Sequence, residues 1–338
     1  MNQRIRGLRA AGLSAVFLGL APVFGKQAIL MGFSPLAVAS LRTLMAALLL
    51  LLVIAIIQPK NLYIYPAGLL GCLLAGGING LGSLLFYGSL ARIDASLGQL
   101  LNSTYPVFVA LWFTLDFQPP KGLTVFRLVL TLPAIYLLTQ AGGRELDMVG
   151  VAMMLGAAAL YALHLPINQR VLYEMPAPTV TLYTLLSMSA VVVPAFLLFD
   201  SIDTLQTASA AAWWPLIGLT VVTFFSRVTL FMGVKHLGGM QTALIGLGEL
   251  LVTVFVAYVW LGERLSPQQW VGAVLLMSSI LLVLVDKSPP PRRRKTRWLR
   301  WLTPPTPHPE MLQNTETPPP AAETTSQEKH SKPGRDLA

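Results

Sequence analysis

Four charged side chains interrupt long apolar stretches of this sequence: Lys26, Arg42, Arg227 and Glu249. A charge inside a bilayer is costly, so such residues face a bundle interior or a wet path and mark routes for ions or substrates. Arg227 and Glu249 are the most informative. They stand about 7 and about 9 residues from one shared polar turn, so at a rise of about 1.5 Å per residue their depths differ by about 3 Å. The turn is short, which predicts neighbouring helices and a buried or cavity-lining ion pair. One reading gives that pair a role in transport. The other has it only fixing helix packing. Thr242, Gly246, Glu249 and Thr253 follow at spacings of four, three and four, one helix face of small and polar groups.

Arg42 has no obvious partner in the sequence and fits the carboxylate of a substrate. Lys26 lies near the end of its apolar run, where its long stem can snorkel to the interface. Asn79 with Ser83, and Gln99 with Asn102, recur at i, i+4 and i, i+3. Such residues hydrogen-bond between helices or line a polar cavity. His164, beside Pro166, is either a packing residue or a proton carrier. Enzyme chemistry is not expected. No HExxH, no G-x-S-x-G, no Walker loop and no pair of carboxylates on one helix is present. No cofactor or metal is expected either. Cys72 is the one cysteine, which excludes a disulfide or a cysteine cluster within the chain.

The elements that must position these groups are apolar helices. The chain has 54% hydrophobic and 12% charged residues over 338 positions, and a mean hydropathy of +0.63. Soluble domains run near 25% charged, so this is an all-α membrane protein. Ten transmembrane helices are predicted at about 10–30, 34–57, 66–90, 95–115, 122–139, 148–171, 178–199, 212–234, 240–261 and 266–285. Lys and Arg gather in the loops on one side, with Arg4, Arg6, Arg9, Lys60, Lys121, Arg127, Arg170 and Lys235 against Arg92, Arg144 and Arg264. Both termini are therefore predicted cytoplasmic. The net charge of +9 sits in those loops and in the tail. Its placement suits a membrane surface, and no nucleic-acid partner is expected.

A shift of about 144 residues lays "FYGSLARIDASLGQLLNSTYPVFVALW" over "FMGVKHLGGMQTALIGLGELLVTVFVAYVW". It also puts Ser83 at the place of Arg227 and Tyr105 at the place of Glu249. Each half holds five spans, an odd number, so the second copy enters from the opposite side. The expectation is two inverted-topology five-helix repeats, 1–140 and 146–286, with a site near the midplane. Residues 287–338 form a Pro-rich basic tail. Eleven prolines lie between Pro289 and Pro333. The composition predicts a disordered cytoplasmic segment. Within it RRRKTRWLRWL, which begins at Arg292 and ends with Leu302, sets six cations beside Trp298 and Trp301. That suits an anionic inner leaflet, or a topology anchor with no further role.

From Gly233 to Val285 the chain reads as a helix with a central Glu249, then LGER-L-S, then a Trp-x-Gly helix ending in an Ile/Leu/Val run. This resembles the last two helices of an EamA-type member of the drug/metabolite transporter superfamily. The first hairpin, "GKQAILMGFSPLAVASLRTLMAALLLL", resembles that of the family too, with Lys26 and Arg42 at often basic positions. One departure is "LDFQPPKGL" with Asp116, where the first repeat often has Gly-Glu. The resemblance implies a bacterial inner membrane and a secondary transporter, often an exporter, of small metabolites such as amino acids. The expected pathway residues are Glu249, Arg227, Arg42, Asn79, Gln99, Asn102, Tyr105, Thr242 and Thr253. Two alternatives remain: cargo that is phosphorylated or a nucleotide sugar, and a non-transporting polytopic membrane protein. Oligomeric state is open at this point.

Overall fold

A computed structural model describes residues 3–105, 107–108, 111–112, 122–139, 147–172, 175–200, 210–237, 245–246 and 248–285. All regular structure among them is helical. The helices are α1 (Gln3–Leu30), α2 (Pro35–Ile57), α3 (Pro66–Leu90), α4 (Ala95–Asn102) and α5 (Gly122–Thr139). They continue with α6 (Met148–Leu172), α7 (Ala177–Phe199), α8 (Trp213–Leu237), α9 (Gly248–Val256) and α10 (Pro267–Val285). Six helices, α1, α2, α3, α6, α7 and α8, are long and apolar enough to cross a membrane. Shorter apolar helices lie at Val129–Leu138 in α5 and at Gly248–Leu261, where α9 runs on through a π turn. The tail and Thr242 lie outside the described residues, as does the loop carrying Asp116.

Proline and glycine set the helix ends. Pro35, Pro66 and Pro267 open α2, α3 and α10, where a missing N–H costs nothing. Ser34 caps α2 by accepting a hydrogen bond from the Ala37 amide at 3.0 Å. Gly262 closes α9 in the left-handed region, at φ 70°. The predicted span at 95–115 is interrupted. After Asn102 the chain leaves the α-helix, with tighter bonds from Thr104 N to Leu101 O and from Val107 N to Thr104 O. Pro106 explains the break, since it has no N–H to give the Asn102 carbonyl.

Large apolar side chains are exposed on the outside, while charged groups of the apolar runs are buried. Leu132, Leu198 and Phe199 are 69%, 77% and 80% exposed, whereas Arg42, Arg227 and Glu249 are 6%, 9% and 9% exposed. That inversion fits a lipid surround. Helix α1 packs on α8 and α9, α3 on α6 and α7, α2 on α7 and α8, and α5 on α10. Small residues permit these approaches. A Cβ on Gly76 would stand 2.6 Å from the Thr184 carbonyl, so α3 and α7 meet backbone to backbone there. The main pairings survive exchange of α1–α5 with α6–α10. The α1–α8 pair becomes α6–α3, α1–α9 becomes α6–α4, and α2–α7 and α5–α10 map onto themselves.

Candidate functional site

Helices from both halves converge on a cavity of about 90 Å³. Arg42 of α2, Asn79, Ser83 and Tyr87 of α3, and Gln99 and Asn102 of α4 supply its polar wall. Tyr161 of α6, Thr223, Ser226 and Arg227 of α8, and Glu249 of α9 complete it. Leu18, Ala21, Pro22, Phe86 and Met188 give it an apolar side. Among the described residues, two guanidinium groups and one carboxylate face this space.

Arg42 is braced on three sides. Its Nη2 donates to Ser83 Oγ at 2.6 Å and its Nη1 to Thr223 Oγ1 at 3.4 Å, while its Cζ lies 4.6 Å from the Tyr87 ring centroid. The Nε of Arg42 and the Nη1 of Arg227 are buried and have no hydrogen-bond partner. A buried donor left unmade is expensive, so both atoms favour an incoming acceptor. Glu249 Oε1 instead accepts a hydrogen bond from Gln99 Nε2 at 3.0 Å.

The expected ion pair is thereby corrected. Arg227 and Glu249 line one cavity, but no contact within 4.0 Å joins their charges among the described ion pairs. Depth put them at one level, while the Gln99 amide from α4 takes the carboxylate. Arg42, Asn79, Gln99 and Asn102 are on the cavity wall. Tyr105 stands one row back, edge-on to Tyr161 with ring centroids 5.2 Å apart. Thr253 faces α1, where its Oγ1 donates to Gly19 O at 2.7 Å and to Glu249 O at 3.0 Å. It braces the helix that carries Glu249. His164 also lies off the cavity lining, with Nδ1 against Tyr161 O at 2.9 Å.

Lys26 is a second correction. Its head does not only snorkel. Nζ donates to Leu90 O at 2.7 Å and Ile93 O at 2.9 Å, the carbonyls where α3 ends. Sequence reasoning missed Tyr87, Tyr161, Thr223 and Ser226. Thr223 carried a usable signal, because it lies four residues before Arg227 and shares its helix face. At the bundle end, Arg92 Nη1 contacts Asp147 Oδ2 at 2.7 Å. That hydrogen bond, with amide donation from Gly150 and Val149, holds the exposed Asp147 carboxyl below its usual range. No group of three or more His, Cys, Asp or Glu suited to a metal gathers among the described residues.

The family model described as the EamA-like transporter family matches residues 5–140 and 148–285. The chain belongs to that family. With its long apolar helices, it is a multi-pass integral membrane protein of a transporter family. It is 25% identical over 287 residues to the uncharacterized transporter YcbK of Bacillus subtilis (strain 168), covering 78% of this chain and 90% of that protein. It is 26% identical over 273 residues to the threonine/homoserine exporter RhtA of Escherichia coli (strain K12), covering 78% and 88%. A solved crystal structure aligns with a TM-score of 0.58 at 13% identity, over 81% of this chain and 95% of that one, a likeness of fold alone.

Proposed function

We propose that this protein is a secondary transporter, an exporter in its main direction, of small metabolites that carry both a carboxylate and an amino group. Amino acids and related compounds are the cargo class. The single observation that carries this reading is the charge pattern of one buried cavity. Arg227 and Arg42 offer unpartnered donors to a carboxylate, and Glu249 offers an acceptor to an ammonium. Asn79, Gln99 and Asn102 add neutral polar contacts, and the apolar side receives a short side chain. Tyr105 and Thr253 hold the groups that touch cargo, and Thr242 belongs to the same helix face by spacing.

The mechanism is alternating access between two inverted five-helix halves. The exchange-symmetric helix pairing supports it. The surrounding membrane is the bacterial inner membrane, with both termini cytoplasmic and the stretch at 292–302 against its anionic leaflet. The two-to-one excess of guanidinium over carboxylate favours one second reading, phosphorylated or nucleotide-sugar cargo. A cavity of about 90 Å³ and the presence of Glu249 weigh against so large an anion.

The test is a comparison of cells expressing the unmutated protein, cells expressing Glu249→Gln, and empty-vector cells. Small molecules are profiled in medium and cytosol. One amino compound raised outside and lowered inside only with the unmutated protein is expected. Identical profiles with the protein verified in the membrane would remove the export reading.

A further inference from the structure

The joint between α3 and α4 is gripped from two sides by charge. Lys26 of α1 donates to the Leu90 and Ile93 carbonyls, at the negative end of α3. Glu263, in the turn between α9 and α10, takes the positive end of α4. Its Oε1 accepts from Ala95 N at 2.8 Å, and its Oε2 accepts from Ser96 N at 2.8 Å and Ser96 Oγ at 2.7 Å. Asp94 precedes α4 as an N-cap residue would, yet its side chain makes no capping bond. The cap comes from 167 residues away in sequence.

We propose that Lys26 and Glu263 are gating residues: a two-point latch that holds this end of the bundle shut over the cavity, and whose release opens it. The inference rests on the transport reading above. Three elements that must part for the cavity to open here are α1, the α3–α4 joint and the α9–α10 turn, and the latch ties all three. Beside it Trp214 of α8 and Trp260 stack at 5.2 Å, with Phe24 of α1 edge-on to both. The latch also sets the cavity wall, since α4 carries Gln99 and α9 carries Glu249. A neutral polar substitute at either point loses a charge-assisted, part-buried contact.

Accessibility tests this without using transport. Cys72, the one native cysteine, is replaced by Ala, and Asn102→Cys supplies a thiol on the cavity wall. Intact spheroplasts and inverted vesicles are treated with a membrane-impermeant maleimide. Lys26→Gln and Glu263→Gln should each speed labelling about tenfold, the scale of one lost charge-assisted hydrogen bond, and from one side only. Lys26→Arg, which keeps charge and donors, should label at the parent rate. Equal rates in all four proteins, or equal acceleration from both sides, would overturn the latch. Efflux is measured separately in the Cys72→Ala parent. Its absence there beside one-sided acceleration would remove the transport reading and leave the latch in place.

Discussion

The two ends of the bundle are held by different chemistry. At the end where α1 finishes, charged groups bind helix termini: Lys26 on α3, Glu263 on α4, Asp147 on α6 with Arg92 beside it. Ser34, at the start of α2, is hydrogen-bonded to the Asp200 carboxylate. At the opposite end Lys235 Nζ lies 3.5 Å from Met175 O, and several shorter ties are neutral. Thr179 Oγ1 donates to Asn61 O at 2.8 Å, Tyr183 OH donates to Leu62 O at 2.7 Å, and Cys72, Val171, Leu172, Met175, Leu230 and Phe231 pack together. A neutral hydrogen bond near water exchanges for a solvent bond at a net cost of about 1 kcal/mol, while bonds to charge cost about twice that. On that scale, releasing the Lys26 and Glu263 contacts costs more than releasing those of Thr179 and Tyr183.

The largest effect is expected between the ends. Glu249→Gln keeps the acceptor for Gln99 but removes the charge, and efflux should fall to background while folded yield in detergent stays unchanged. Arg42→Lys comes next. It loses the forked contact to Ser83 and Thr223 and the stacking on Tyr87, and substrate affinity should drop about tenfold or more, read as a rise in half-saturation concentration. Third, Gly76→Leu sets a side chain against the Thr184 carbonyl and should lower the yield of monodisperse protein. Fourth, removing the neutral ties sharpens the comparison between ends. Tyr183→Phe with Thr179→Val should change maleimide access to Asn102→Cys by much less than Glu263→Gln does.

The smallest effect is at the exposed Arg92–Asp147 pair. Surface pairs contribute little. Asp147 has a lowered folded pKa, so its contribution is present above the unfolded value of about 3.9 and is lost as pH falls through the folded one. Arg92→Gln should lower the Tm slightly at pH 7. The difference from the unmutated protein should close on acidification below about pH 3.9.

Much of the site was legible because a polar group in an apolar run is conspicuous. Arg42, Asn79, Gln99, Asn102, Arg227 and Glu249 all reach one cavity. Apolar runs also located α2, α3, α6, α7 and α8 within three residues of their observed ends. Partner choice was not legible. Helix depth gives height along the membrane normal but not the direction a side chain faces. Arg227 and Glu249 therefore matched in level while Gln99, 150 residues away, took the carboxylate. Lys26 binds backbone carbonyls, which carry no residue-type signal, and Glu263 caps a helix 167 residues away in sequence. The break after Asn102 was signalled by Pro106. Membrane helices tolerate interior prolines, and Pro22, Pro166 and Pro194 lie inside unbroken helices here, so proline alone did not mark it.

The measurement that tests the account most directly is efflux from liposomes holding the purified protein and loaded with a mixture of α-amino acids. The account predicts that at least one amino acid leaves protein-containing liposomes faster than empty ones, and that Glu249→Gln abolishes that excess. Retention of every amino acid by the unmutated protein, or an equal rate with Glu249→Gln, would contradict it.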